Sequence, residues 1–276
     1  MVSKIITSFL VVFVYQAFTI NVAAQQFFNV DELVGKYSIG DGLINDSIEI
    51  NPDGTYAKNH VSCTYATQQT GKLDSVNGTL HFTLLKFVGK KFANEKKEFN
   101  LLNSNNRKKF YDDEEDEPIP TEYEFQPVRW GERIYLIDKD ILQDFSNAIN
   151  LGFEPRTGSD IGLYYGPFFL RKGDENKTVH EKPLLPQEWQ SFLLDRPVTT
   201  NVLSIEEKGK VKIATIDKGS QDGLRVGMKL ARKDDMPEIW SEEGVIISVE
   251  NHTSKIRTYK FEIGDILSTR FNFRNE

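Results

Sequence analysis

The chain has 276 residues, a formal net charge of −7 at pH 7, 39% apolar residues and a single cysteine. This length and apolar content suit one large domain or two smaller ones, each with its own core. The acidic balance argues against nucleic acid or an anionic membrane surface as a partner, and the lone Cys63 excludes an intrachain disulfide bond.

The first 24 residues have the pattern of a secretory signal peptide. Lys4 supplies the positive start, residues 5–20 are mostly apolar, and Val22-Ala23-Ala24 offers the small residues that precede a cleavage site. An apolar stretch of this length is short for a membrane span, which needs ~20 residues. We therefore expect cleavage after Ala24, export to the periplasm or the extracellular space, and no membrane span after removal of the signal.

Residues 47–87 have the pattern of antiparallel strands joined by tight turns. Apolar side chains alternate along the segments, for example at Leu80 and Phe82. The turns carry Asn-Pro-Asp-Gly at residues 51–54 and Asn-Gly at residues 77–78, which are typical of β-hairpins. This part of the sequence predicts an antiparallel meander.

Four short motifs in residues 35–87 are shared with a known class of domains: Gly35-Lys-Tyr37, Asp53-Gly-Thr-Tyr56, Gly71-Lys-Leu73 and Asn77-Gly-Thr-Leu80. Together they resemble the small lipocalin-like (calycin-like) domains of exported bacterial proteins. The resemblance implies an up-and-down barrel whose interior holds a small apolar ligand. It carries no catalytic residues with it.

A helix is predicted at residues 139–150, where apolar residues recur at helical spacing: Ile141, Leu142, Phe145, Ala148 and Ile149. Asp138 is a suitable N-cap, and Gly152 lies just beyond the end. A helix across a barrel mouth would gate a cavity, whereas a helix packed on a sheet only covers it. We expect the covering arrangement.

An aromatic cluster follows in the segment that is expected to close the first domain. Tyr164, Tyr165, Phe168 and Phe169 lie within a few residues of one another. Aromatic side chains supply large apolar surfaces, usually to a core and in some proteins to a ligand pocket. We predict these four residues as the ligand-binding site.

Residues 211–230 combine apolar strand positions with closely spaced glycines, at Gly219, Gly223 and Gly227. This segment is similar to a PDZ or SH3-like barrel segment. It departs from the PDZ pattern in having Asp222 before Gly223, and the chain lacks the loop that binds a peptide carboxylate in PDZ domains. The resemblance therefore implies a small barrel without a PDZ peptide-binding function.

The predicted fold is mainly β, with an antiparallel barrel or meander, one covering helix and a smaller C-terminal β-barrel. The N-terminal barrel-like domain is placed at residues 27–172, followed by a linker at 173–200 with a short helix at 187–194. The small C-terminal barrel is placed at residues 201–272.

The residues for catalysis or metal binding are sparse. The four histidines are scattered, and no nucleophile motif accompanies them. Cys63 follows His60 by three residues, but positions i and i+3 of a strand face opposite sides, so we expect Cys63 to be a buried small residue. We predict no catalytic residue, no metal and no cofactor, although 41 acidic residues leave a carboxylate pair open.

These patterns indicate an exported, non-catalytic, two-domain β protein of the cell envelope. Its first barrel would bind a small apolar ligand or a partner, and its second barrel would contact another envelope protein. Two alternatives remain open, namely a structural or adaptor module without a ligand and a hydrolase that uses paired carboxylates.

Overall fold

The computed structural model describes residues 28–40, 45–91, 98–103, 105, 122–154, 168–179, 181–233 and 244–270. The predicted signal peptide, Tyr164 and Tyr165 lie outside the described residues. Within the described part of the chain, no helix is both long enough and apolar enough to span a bilayer.

The first barrel consists of eight antiparallel strands in up-and-down order. Each strand pairs with the next along the chain, and the last strand pairs with the first, which closes the ring. The strands are β1 (Gly35–Gly40), β2 (Asn45–Ile50), β3 (Thr55–Val61), β4 (Tyr65–Val76), β5 (Thr79–Lys91), β7 (Glu122–Trp130), β8 (Arg133–Asp138) and β9 (Phe168–Arg171). A three-residue strand, β6 (Glu98–Asn100), extends the edge of β5 beyond its pairing with β7.

The turns of the first barrel explain why its strands could be predicted from the sequence. Asn77 and Gly78 have backbone φ angles of 52° and 81°, the left-handed pair that a two-residue hairpin requires. Asp53 accepts hydrogen bonds from the backbone and hydroxyl of Thr55, which fixes the β2–β3 turn. A one-turn helix, α1 (Val30–Leu33), precedes β1, and Leu33 is fully buried.

The predicted helix forms as a 3₁₀ turn (Lys139–Ile141) followed by α2 (Leu142–Asn150). Asp138 caps its start through the backbone N–H of Asp140. The helix packs on the outer face of β7, β8 and β9, where the Phe145 ring lies 5.1 Å from the Phe168 ring and 5.4 Å from the Tyr135 ring. It therefore covers the sheet, as expected.

The helix of the connector is shorter than predicted. Helix α3 (Gln187–Gln190) ends four residues before the expected end at Leu194. The side chain of Asn150 accepts a hydrogen bond from the Leu194 N–H and donates one to the Phe192 carbonyl. Those backbone groups therefore bond to α2 and do not continue a helix.

The second barrel is smaller and closed by six strands in the order β10-β11-β14-β13-β12-β15. The strands are β10 (Thr199–Lys208), β11 (Val211–Ile216), β12 (Lys229–Arg232), β13 (Gly244–Val249), β14 (Ser254–Thr258) and β15 (Ile266–Ser268). A 3₁₀ turn (Ser220–Asp222) lies between β11 and β12. The predicted fold class, a β-barrel with a covering helix and then a smaller β-barrel, is confirmed.

Helix α2 joins the two barrels through its polar side. The Gly227 carbonyl accepts hydrogen bonds from Gln143 and Asn147, both at 3.0 Å. Asn147, which is 1% exposed, also accepts one from the Lys229 N–H. Ala231 of the second barrel belongs to the same apolar cluster as Phe145. One helix thus contributes to both barrels.

Gly71 is a test of the packing inside the first barrel. A Cβ at this position would collide with the Thr83 carbonyl oxygen and lie 2.7 Å from Cε1 of Tyr56. We expect Gly71→Ala to lower the free energy of unfolding by about 1–3 kcal/mol, the usual cost of overpacking a core. Urea denaturation measures this change, and Lys72→Ala, at the exposed neighbouring position, should stay within about 0.5 kcal/mol of the wild type. Equal midpoints for Gly71→Ala and wild type would contradict the packing described here.

Candidate functional site

Side chains alternate between the interior and the outside of the first barrel because successive residues of a strand point to opposite faces. The closed half of the interior, next to α1, is apolar and aromatic. Its buried residues come from all eight strands: Tyr37, Ile39, Ile48, Ile50, Tyr56, Leu73, Leu80, Phe82, Phe125, Ile134, Leu136 and Phe169. This half forms the core of the first barrel.

The opposite half of the interior is polar. Strand pairing aligns Lys58 with Ile48 on one side and with Gln69 on the other. The lysine therefore lies in the same layer of the interior as the apolar Ile48. In the next layer Asp46 is aligned with His60. The sequence therefore changes from apolar to polar along the same inward-facing positions.

Lys58 is the cation of this polar half. Its Nζ lies 4.5 Å from the centroid of the Tyr123 ring and 6.0 Å from that of Phe125, within the range of cation–π attraction. No hydrogen bond joins Nζ to another described residue. Burial lowers the pKa of Lys58, and the negative charges of Asp46 and Asp138 oppose part of that effect. The ammonium group of this half-buried lysine is thus partly desolvated and has no hydrogen-bonding partner among the described residues.

His60 and Asp46 form a second polar contact in this region. Nδ1 of His60 lies 2.6 Å from Oδ1 of Asp46, and the imidazole stacks on the Tyr65 ring at 5.3 Å. Both groups are about a quarter exposed, so the pair lies near solvent. The contact fixes the Asp46 carboxylate beside Lys58.

Cys63 corrects one expectation. It is exposed, whereas we expected a buried residue. Strand β3 ends at Val61, so Cys63 lies in the turn that leads to β4 and strand alternation does not apply to it. His60 is paired with Asp46 and not with Cys63.

Two buried polar atoms next to Lys58 have no hydrogen-bonding partner within the described residues, namely the Tyr56 hydroxyl and Oε1 of Gln69. Tyr56 is 1% exposed, and burial raises its pKa to about 12. Burial also raises the pKa of Tyr123, and a hydrogen bond from Gln69 lowers it in part. Unpaired buried polar atoms are costly, so this group is suited to a ligand that supplies the missing hydrogen bonds.

We call this group the Lys58 cluster: Asp46, Tyr56, Lys58, Gln69 and Tyr123. Lys58 can donate a hydrogen bond, Tyr56 can donate or accept one, and Oε1 of Gln69 can accept one. The aromatic rings of Tyr123 and Phe125 lie beside these groups. The negative charges of Asp46 and Asp138 already act on the lysine. The cluster can therefore hold an uncharged polar group more easily than a carboxylate.

The predicted ligand-binding residues fall into three places. Tyr164 and Tyr165 lie outside the described residues. Phe169 points into the barrel, 6.0 Å from the Phe125 ring, whereas Phe168 points outward beneath helix α2. Phe168 and Phe169 are both buried and line no common space. The four-residue site remains a prediction.

A cleft of about 680 Å³ lies beside the first barrel. It is bounded by the end of α2, the connector and Arg270 near the end of β15. The lining residues are Trp130, Ile149, Asn150, Gly152, Phe153, Glu154, Val179, Glu181, Lys182, Leu184, Gln190, Leu193, Leu194, Asp195, Arg196, Pro197 and Arg270. This volume falls within the range of small-molecule sites.

Neither the Lys58 cluster nor the cleft was predicted from the sequence. Lys58 has a detectable signal, because it occupies the same strand face as the core residue Tyr56 and is two residues away. The cleft has no such signal, because its walls come from distant segments. Among the described residues, no group of three or more His, Cys, Asp or Glu side chains is arranged to hold a metal ion.

Comparisons with protein-family models, curated proteins and solved structures found no match for this chain.

The charge of Lys58 yields a pH-dependent prediction. Its pKa is lowered in the folded protein, so folding disfavours the ammonium form at neutral pH, and this penalty is lost as pH rises from the folded pKa toward 10.5. We expect Lys58→Met to raise the free energy of unfolding at pH 7 by on the order of 1 kcal/mol. The gain should shrink as the pH approaches 10.5, as measured by urea denaturation across pH.

Lys72→Met is the matched control, because Lys72 is exposed on the outside of the barrel. It should give no gain at pH 7 and no comparable pH dependence. Tyr56 and Tyr123 also titrate at high pH but are present in each protein compared, so their contribution largely cancels in the difference. A loss of stability in Lys58→Met at pH 7 would contradict the description of an unpaired, desolvated ammonium.

Proposed function

We propose that the chain is an exported, non-catalytic binding protein whose first barrel holds a small, mostly apolar ligand. The observation that carries the proposal is the Lys58 cluster, in which a partly desolvated ammonium is aligned with Gln69 and lies next to two buried polar atoms without partners among the described residues. A ligand that pairs these groups would recover part of the free energy that their burial costs. Export is proposed from the pattern of the first 24 residues.

The chemistry of the cluster narrows the class of ligand. The aromatic rings of Tyr56, Phe82 and Phe125 pack edge to face and provide an apolar floor. A ligand oxygen would accept a hydrogen bond from Lys58, and a ligand hydroxyl would donate one to Gln69. We propose an uncharged ring compound that carries a hydroxyl group.

The second barrel supports a contact role as a second candidate function. Several of its apolar side chains are exposed: Leu203, Tyr259, Ile263 and Ile266. A backbone hydrogen bond between Gly264 and Val202 brings the segments of Ile263 and Leu203 together. Exposed apolar groups of this kind are typical of protein contact surfaces. An adaptor without a ligand becomes the better proposal if the first barrel binds nothing.

Naphthol, an uncharged fluorescent ring compound with one hydroxyl group, tests the ligand proposal. We expect the wild type to bind one naphthol per chain in a fluorescence titration, and Lys58→Met to bind it roughly tenfold or more weakly, because a hydrogen bond to a charged group contributes ~1.5–3 kcal/mol. Naphthoate should bind this site more weakly than naphthol, because its carboxylate would face Asp46 and Asp138.

Lys72→Met is again the control and should bind naphthol as the wild type does. Equal affinity of Lys58→Met and wild type would refute the role of the lysine. No saturable binding to the wild type would refute the ligand class.

A further inference from the structure

The cleft beside the first barrel has apolar walls and a fixed frame. Trp130 and Phe153, which are 6% and 5% exposed, form part of the lining on the side of the first barrel. Asn150 holds the connector through its two hydrogen bonds to Phe192 and Leu194, and the Trp130 indole N–H donates to the Glu181 carbonyl. The walls are therefore held together by specific bonds and not by apolar contact alone.

The charged residues of the cleft divide into paired and unpaired groups. Lys182 lies 2.6 Å from Asp195, and Glu154 lies 3.5 Å from Arg133, so these charges are compensated. Arg196 and Arg270 are exposed, and neither guanidinium forms a hydrogen bond or ion pair with another described residue.

Hydrogen bonds between two chain segments bring Arg196 and Arg270 to the same side of the cleft. Val198 and Thr269 exchange two hydrogen bonds, a backbone bond of 3.0 Å and a side-chain bond of 2.9 Å. Arg196 and Arg270 flank this link, one on each segment. The remaining carboxylate of the lining is Glu181, so among the described residues two unpaired guanidinium groups stand against one unpaired carboxylate and the balance is positive.

We propose that the cleft is a second binding site, distinct from the Lys58 cluster, for a small amphipathic organic anion. The apolar body of the anion lies against Trp130 and Phe153. Its carboxylate or sulfonate accepts hydrogen bonds from Arg196 and Arg270, which present planar donors suited to such groups. The volume of about 680 Å³ accommodates a molecule of two or three rings.

Two fluorescent probes that differ only in charge test this site. Anilinonaphthalenesulfonate carries the aromatic body and an anionic group, and phenylnaphthylamine is the same body without the sulfonate. We expect the wild type to bind one anilinonaphthalenesulfonate per chain and phenylnaphthylamine at least tenfold more weakly. The double variant Arg196→Gln/Arg270→Gln should bind anilinonaphthalenesulfonate at least tenfold more weakly than the wild type.

The control double variant is Lys208→Gln/Lys210→Gln, which removes the same charge from exposed positions in the β10–β11 turn. It should bind as the wild type does, and Arg196→Lys/Arg270→Lys should restore part of the affinity. Lys58→Met should leave anilinonaphthalenesulfonate binding unchanged, which separates this site from the proposed ligand site of the barrel.

Three results would overturn the proposal. The first is equal binding of the two probes by the wild type, which would indicate apolar contact alone. The second is unchanged affinity in Arg196→Gln/Arg270→Gln, with the thermal midpoint of that variant confirming that it is folded. The third is co-sedimentation of the wild type with phosphatidylglycerol vesicles that Arg196→Gln/Arg270→Gln abolishes, which would assign the arginines to a lipid surface.

Discussion

The structure depends on one wall of the first barrel that is buried on both faces. Strands β7, β8 and β9 line the barrel interior with one set of side chains and hold helix α2 with the alternate set. Phe145 of the helix is fully buried against that outer face. Because α2 also bonds to the second barrel through Asn147, its docking on the wall positions both barrels. The same docking forms one boundary of the cleft.

The interior of the first barrel contains both an apolar core and a polar cluster. Its closed half is an apolar core, whereas the Lys58 cluster retains an ammonium group and two buried polar atoms that have no hydrogen-bonding partner within the described part of the chain. Such groups reduce the stability of a folded protein, and a bound ligand that paired them would recover part of that loss. The ligand site proposed in the barrel and the anion site proposed in the cleft both rest on polar groups that have no partner among the described residues.

Much of the fold could be predicted from local patterns, and little of the two sites could. The Asn77-Gly78 turn and the alternation at Leu80 and Phe82 each depend on only a few neighbouring residues, so the meander could be predicted from the sequence. The placement of Phe168 and Phe169 on opposite faces of β9 follows from the same alternation, and the predicted four-residue site remains a prediction. Tyr123 and Phe125, whose rings lie beside Lys58, are on a strand far away in sequence, so the burial of the lysine depends on the closed barrel. The cleft depends on the hydrogen bonds of Asn150 to the connector backbone, which have no local signature in the sequence.

Native mass spectrometry of the protein purified without detergent tests most directly whether the Lys58 cluster serves a ligand. We predict that the main species is heavier than the chain alone by the mass of one small uncharged organic molecule. This molecule should be released on denaturation and be absent from Lys58→Met. A wild type at the mass of the bare chain alone, or the same added mass on Lys58→Met, would contradict it.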